Sequence, residues 1–231
     1  MHESSLLRMQ WFVDTYLDTQ KSASVLDVGS YDVNGSYKQF FTGPRFTYTG
    51  LDMVSGPNVD YVLKNPYQWE EFPDAAYDVV VSGQTFEHTE FFWLTLAEMA
   101  RVLRPGGYLC IIVPRCDKLH RYPVDCYRFD TDGMIALARY CNLSPLHAST
   151  DLAPKGASSQ WYNPSMADSM LVAAKPQGWN GIVNPATYTF HETDLEQMAT
   201  GFIRNPAPPP TSRKVLSRAW RAWIKSFFQS I

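Results

Sequence analysis

The chain has 231 residues, enough for one α/β domain with an extension, and a net charge of −3. That balance excludes a general DNA or RNA binder, and an apolar fraction of 45% suits an ordinary globular core. Cys110, Cys116, Cys126 and Cys141 form no C-x-x-C pair and no zinc spacing, which implies free thiols in a reducing, cytoplasmic setting.

In chain order, Leu6, Leu7, Met9, Trp11, Phe12 and Tyr16 give residues 5–20 the pattern of an amphipathic helix rather than a signal peptide. No run of about 18 apolar residues exists to span a bilayer. A first strand is expected at 24–28, a loop and a helix over 29–42, a second strand at 46–52 and a short strand at 59–63. Tyr77-Asp-Val-Val-Val-Ser82 is a short, β-branched run of the kind buried inside a parallel sheet. Phe92, Leu96, Met99 and Leu103 place a helix over 89–103, and Arg104-Pro-Gly-Gly107 stops it. A strand follows at 108–113, then an irregular, polar and aromatic stretch over 114–130. Residues 131–142 read as a helix with Thr131 as its N-cap, and 143–150 and 169–175 as two final strands. This alternation predicts a doubly wound α/β sheet within a domain covering 1–176.

After Pro176 the pattern breaks. Residues 177–212 read as an irregular extension that contains the stiff Pro206-Ala-Pro-Pro-Pro210. Residues 213–231 read as a basic amphipathic helix, with Leu216, Trp220, Trp223, Phe227 and Ile231 on one face and Lys214, Arg218, Arg221 and Lys225 on the other. Such a helix covers its own domain, pairs with another subunit, or lies peripherally on the inner membrane face.

The most informative stretch is Val25-Leu-Asp-Val-Gly-Ser-Tyr-Asp-Val-Asn-Gly35. An apolar run reaches Asp27, then Gly29, then a polar loop. About two dozen residues after Gly29, the run Phe46-Thr-Tyr-Thr-Gly-Leu51 ends in Asp52. In doubly wound sheets a nucleoside lies across the carboxyl ends of such strands, and the second acid takes its ribose hydroxyls. A dinucleotide site needs G-x-G-x-x-G at the first turn, whereas here Gly29 is followed by Ser30, Tyr31 and Asp32. A carboxylate in the turn repels a pyrophosphate and tolerates a sulfonium and an ammonium. The loop therefore favours S-adenosylmethionine over NAD.

Two further stretches, Asp78-Val-Val-Val-Ser-Gly-Gln-Thr-Phe-Glu-His88 and Glu98-Met-Ala-Arg-Val-Leu-Arg-Pro-Gly-Gly-Tyr-Leu-Cys-Ile-Ile-Val-Pro114, complete the pattern. With the first loop they resemble class I S-adenosylmethionine-dependent methyltransferases, in particular the small-molecule, type 11-like branch, over about residues 20–175. The resemblance implies a Rossmann-like, mostly parallel seven-stranded sheet flanked by helices. It implies that Asp27, Gly29, Ser30 and Tyr31 line the methionine part of the cofactor, that Asp52 holds the ribose, and that Met53 packs on adenine. Asn65 stands where the family often has an acid for the adenine amino group, and Gly83 lies in the loop bordering the methyl group. Tyr31, in place of a second glycine, is the main departure.

On the acceptor side, His120-Arg-Tyr-Pro-Val-Asp-Cys-Tyr-Arg-Phe129 leaves the carboxyl end of a central strand. His120 is the first candidate base, with His88 as a second and Asp125 to orient His120. Arg121 and Arg128 could clamp a carboxylate or phosphate, and Tyr122 and Tyr127 could stack on a sugar ring. The alternative is structural: Arg128 pairs with Asp125 or Asp130 simply to fix the loop. No set of metal ligands stands out, so no metal is expected. The function this implies is methyl transfer from S-adenosylmethionine to a small polar acceptor, such as an oxygen of a glycan precursor or a carboxylate-bearing metabolite. N-methylation of a small amine and a non-catalytic cofactor-binding scaffold are the alternatives.

Overall fold

The computed structural model describes residues 3–150 and 167–189. The elements, in order, are α1 (Glu3–Tyr16), β1 (Ala23–Val28), β2 (Phe46–Asp52), β3 (Tyr61–Val62), β4 (Tyr77–Gly83), α2 (Phe92–Val102), β5 (Leu103–Cys116), α3 (Thr131–Tyr140), β6 (Ser144–Thr150) and β7 (Ala167–Ala174). Single 3-10 turns lie at Tyr37–Phe40 and Phe86–His88.

The seven strands form one sheet in the order β3-β2-β1-β4-β5-β7-β6. All pairs from β3 to β5 are parallel, and β7 enters antiparallel between β5 and β6. The strand order reverses between β1 and β4, which is where ligands bind in open α/β sheets, beyond the carboxyl ends of the strands.

The central strands alternate their side chains between two apolar layers, as the period of two requires. Leu26, Val80, Leu109 and Ile111 face α2 and α3, together with Leu96, Met99 and Met134. Val25, Val79, Val81, Cys110 and Ile112 face α1, where Met9, Phe12 and Tyr37 meet them. Both faces are covered, which is why β4 reads as an uninterrupted valine run.

Three expectations need correction. The helix expected over 29–42 shrinks to the single turn Tyr37–Phe40. The Asp32 carboxylate accepts the Gly35 N–H at 2.7 Å, the Asp32 N–H donates to the Pro57 carbonyl at 3.0 Å, and Gly35 takes a φ of +133°. A short acidic side chain bonded to a nearby backbone amide competes with helix formation, and here the competitor wins. The first helix stops at Tyr16 rather than 20, because Asp18 turns back to accept the Gln20 N–H at 2.9 Å. Asp130, not Thr131, occupies the N-cap position of α3, and the Thr131 hydroxyl bonds that of Thr150 instead.

Beyond β7, residues 177–189 are irregular and pack on the C-terminal end of α3. Trp179 donates its indole N–H to the Cys141 carbonyl at 2.7 Å, and Val183 donates to the Tyr140 carbonyl at 2.8 Å. The Pro206–Pro210 segment and the basic helix expected over 213–231 lie outside the described residues. No helix among the described residues is long and apolar enough to cross a membrane. No disulfide forms among the four cysteines.

Candidate active site

At the carboxyl edge of the sheet the chain leaves β1, β2, β4 and β5 into four neighbouring loops. Gly29 and Ser30 both donate backbone N–H bonds to the Leu51 carbonyl, at 2.8 and 3.0 Å. The Tyr31 N–H donates to Asp52 at 3.1 Å, and Asp52 also accepts the N–H groups of Met53 and Val54. The first loop is therefore fastened to the second. Gly29 has a φ of +80°, and a Cβ on it would lie 2.1 Å from the Thr85 hydroxyl, so backbone conformation and space both require glycine.

Asp27 is buried one residue before the end of β1, beside Gly50 of β2. Its carboxylate accepts the Tyr48 hydroxyl at 2.5 Å, and the Asn58 amide donates to the same hydroxyl at 2.8 Å. Burial pushes the Asp27 carboxyl up to about 7; the Tyr48 bond opposes this and the Asp52 charge adds to it. Met53 is half exposed beside this edge. Asn65 accepts the Tyr67 N–H at 2.9 Å in a tight local turn. Gly83 ends β4 directly over the buried Tyr37, whose hydroxyl would touch any Cβ there.

On the far side of β4, the turn Phe86–His88 meets the loop after β5. The Cys126 N–H donates to the Glu87 carbonyl at 2.7 Å, and the Tyr127 hydroxyl donates to the Glu90 carbonyl at 2.8 Å. His88 Nδ1 lies 2.5 Å from the Val124 carbonyl; a carbonyl only accepts, so Nδ1 carries the proton. Burial depresses the His88 basicity. His120 Nδ1 makes the matching bond to the Lys118 carbonyl at 2.9 Å. The two rings stand edge to face, with centroids 4.9 Å apart.

A model of a methyltransferase domain matches residues 39–111. The match begins after the first loop, where the helix is lost. The ubiquinone biosynthesis O-methyltransferase of Thiobacillus denitrificans is 29% identical over 122 residues. That alignment covers 47% of this chain, and the chain spans about half, 51%, of that relative. The likeness to a methyltransferase domain runs from β2 into β5 of the sheet. Solved structures share the fold at low identity. A 1,6-didemethyltoxoflavin-N1-methyltransferase of Burkholderia thailandensis, bound to 1,6-didemethyltoxoflavin and S-adenosylhomocysteine, aligns with a TM-score of 0.56 and 20% identity, over 75% of this chain and 79% of that one. The (4+2)-cyclase SpnF aligns with a TM-score of 0.57 and 16% identity, over 75% and 81%.

The carboxyl edge of the sheet suits S-adenosylmethionine by its donor set. S-adenosylmethionine offers an ammonium, a sulfonium and two ribose hydroxyls. Residues 29–36 and 52–58 offer Asp32 and Asp52 above Asp27, with no lysine or arginine among them. The expected cofactor residues Asp27, Gly29, Ser30, Tyr31, Asp52 and Met53 all lie at this one edge.

The acceptor-side candidates divide into two sets. Asp125 and Arg128 form a two-pronged ion pair, one prong at 2.9 Å, which holds the Asp125 carboxyl well below the usual range. Asp125 also accepts the His120 backbone N–H at 2.8 Å, while the His120 ring lies 3.8 Å away. It thus positions His120 through the main chain. Tyr127 packs its ring edge to face on Phe92, with centroids 4.8 Å apart. Arg121 and Tyr122 are exposed, and the Tyr122 ring lies 6.5 Å from that of His88.

Two acids escaped the sequence reading. Glu87 has no solvent exposure, and Asp168, at the start of β7, is equally buried. Asp168 accepts bonds from Ser4 at 2.6 Å and from Gln84 at 3.0 Å, joining the start of α1 to the end of β4. An acid inside the apolar run Met166-Ala-Asp-Ser-Met-Leu was the available signal for Asp168. Nothing in the residues around Glu87 marks it as buried.

Proposed function

We propose that this chain moves a methyl group from S-adenosylmethionine to an oxygen of a small polar acceptor, with glycan precursors and carboxylate-bearing metabolites as the substrate classes. One observation supports the cofactor half above others: two carboxylates, Asp27 and Asp52, stand at the adjoining ends of β1 and β2 beside a loop without basic residues. Asp52 would take the ribose hydroxyls and Asp27 the cationic methionine end. Ser30 and Tyr31 would line the path between them, Met53 and Asn65 the adenine, and Gly83 the methyl group.

The acceptor half rests on the pair of imidazoles. His120 and His88 each anchor Nδ1 on a carbonyl, so each leaves Nε2 as the atom able to take a proton. Asp125 fixes the His120 backbone, and the exposed Arg121 and Tyr122 are the groups placed to meet an anionic or ring-bearing acceptor. Arg128 and Tyr127 shape this wall, since their polar groups are engaged within the protein. The name of the Thiobacillus relative, an O-methyltransferase, agrees with an oxygen acceptor.

Calorimetry with S-adenosylhomocysteine tests the cofactor half. Asp52→Ala should weaken binding roughly 10- to 100-fold, since hydrogen bonds to a charged group are worth about 1.5–3 kcal/mol. Absence of binding by the folded parent chain refutes the proposal. His120→Ala should reduce turnover and leave S-adenosylhomocysteine affinity unchanged; equal turnover removes the histidine assignment.

A further inference from the structure

Glu87, His88 and His120 form a cluster whose chemistry exceeds proton transfer. One ligand atom from each lies within 4.8 Å of the other two. Glu87 Oε1 is 3.7 Å from His88 Nε2. Both Glu87 carboxylate oxygens are sealed from solvent, and neither meets a hydrogen-bonding group of another residue. Burying a charged group without a partner is costly, so a cation brought within reach of this unpartnered carboxyl would be held there. Arg128, whose charge acts on Glu87, is already committed to Asp125.

The histidines are prepared in the manner of metal ligands. Each places its Nδ1 proton on a main-chain carbonyl, His88 on Val124 and His120 on Lys118. That bond fixes the tautomer, turns the Nε2 lone pair outward and raises its basicity, which is the usual outer support of a metal-bound imidazole. Asp117 and Asp125 lie 3.5 and 3.8 Å from the His120 ring and add negative potential.

The geometry points to a divalent transition-metal site formed by Glu87 Oε1, His88 Nε2 and His120 Nε2. Two imidazoles and one carboxylate suit zinc, cobalt or ferrous iron better than magnesium or calcium, which prefer oxygen-only shells. Around a tetrahedral ion with bonds of about 2.0–2.1 Å, ligand atoms sit roughly 3.3 Å apart. The cluster must therefore contract by up to about 1.5 Å, and His120, on an exposed loop, is the arm able to move.

Three protein ligands leave a coordination position open, as in catalytic rather than structural sites. The turn Phe86–His88 that carries two of the ligands follows the end of β4, where the proposed function puts the methyl group. Resting on the methyl-transfer reading, the ion would bind the acceptor hydroxyl and release its proton to solvent. The alkoxide would then attack the methyl carbon, while the carbon–sulfur bond breaks and its electron pair returns to sulfur. His120 would act as a ligand there, and the ion would replace the ring as the proton-removing agent.

The test is metal binding itself. Untagged full-length protein, freed of metal with a chelator, is titrated with Co²⁺, following its visible ligand-field bands, and with Zn²⁺ by calorimetry. One equivalent should bind, with the band intensity of a four- or five-coordinate site. Glu87→Gln and His120→Ala should each weaken binding by about 10-fold or more. His120 is exposed, so His120→Ala should melt like the parent and separates ligand loss from misfolding. Failure of the parent to bind Co²⁺ or Zn²⁺ overturns the proposal, as does undiminished binding by His120→Ala. S-adenosylhomocysteine affinity, measured alongside, reports separately on the cofactor reading.

Discussion

Gly29 offers the sharpest test of how the cofactor loop is built. Replacing it with alanine puts a Cβ at φ +80°, where an L-residue pays about 1 kcal/mol. The same Cβ would sit 2.1 Å from Thr85 Oγ1, 2.6 Å from Cγ2 and 2.8 Å from Cβ. Thr85 cannot swing aside freely, because its hydroxyl donates to the Gly83 carbonyl at 3.1 Å. Overpacking of this kind costs about 1–3 kcal/mol, so Gly29→Ala should lose about 2–4 kcal/mol in all. For a chain of this size that lowers Tm by about 5–15 °C. Thermal melts of Gly29→Ala, Thr85→Gly and the double variant form a cycle. Thr85→Gly removes all three clashing atoms and leaves the φ strain, so the double variant should recover about 1–3 kcal/mol relative to additivity. If Gly29→Ala melts with the parent, or the coupling is under about 0.5 kcal/mol, the close approach of the two loops is wrong.

Further outcomes follow from buried charge. The Asp27 carboxyl is raised to about 7 in the folded chain, so the folded state holds a proton that the unfolded state has released between the ordinary carboxylate range and 7. Stability without cofactor should therefore fall as pH rises through that window. Asp27→Asn, which keeps an acceptor for Tyr48, should raise Tm at pH 8 while weakening S-adenosylhomocysteine binding; a lower Tm at pH 8 contradicts the assignment. His147 is buried beside Arg8, and burial depresses its imidazole to about 4. The unfolded chain takes up that proton first, so stability present above about 6.5 should be lost as pH falls toward 4. His147→Gln should flatten that slope in melts recorded from pH 4 to 7; an unchanged slope counts against it. Lys175 is buried and donates to the carbonyls of Ala100, Arg101 and Leu103 at 2.7, 3.2 and 2.6 Å, closing the end of α2. Lys175→Met should cost about 2–4 kcal/mol by removing the ammonium from the Ala100 and Leu103 carbonyls, while Arg101 keeps the Ala75 N–H, and a melt within about a degree of the parent refutes that accounting.

The parts legible in the sequence are those set by repeated local signals. The valine run of β4, the apolar stripe of α2 and the Pro-Gly-Gly stop each carry their own physical cause, and each appears where expected. Asp27 and Asp52 were legible because strand ends can be counted. The lost helix at 29–42 was not, because its fate turns on Asp32 choosing Gly35 and Pro57 over helical partners, and Pro57 belongs to another loop. The Asp125–Arg128 pair was foreseen as one of two readings, and only geometry could select it. Glu87 escaped because nothing local marks it as buried. Its burial comes from the loop after β5 folding over it, held by the Cys126 N–H bond to the Glu87 carbonyl.

The missing helix also bears on which ligand this edge accepts. In a dinucleotide-binding βαβ unit, the first turn opens a helix whose N-terminal amides and positive dipole end receive a pyrophosphate. Here the amides of Gly29, Ser30 and Tyr31 are already spent on Leu51 and Asp52. The helix that would supply the dipole is one 3-10 turn, beginning eight residues beyond Gly29. The turn thus spends its backbone donors on Leu51 and on its own carboxylates, and its net charge is negative. A phosphate-bearing cofactor loses its anchor and meets repulsion as well, whereas a cationic sulfur nucleoside loses nothing that it used. Restoring the anion site would require more than glycines in the loop: the Asp32 turn would have to be undone, and with it the bond that ties the first loop to Pro57.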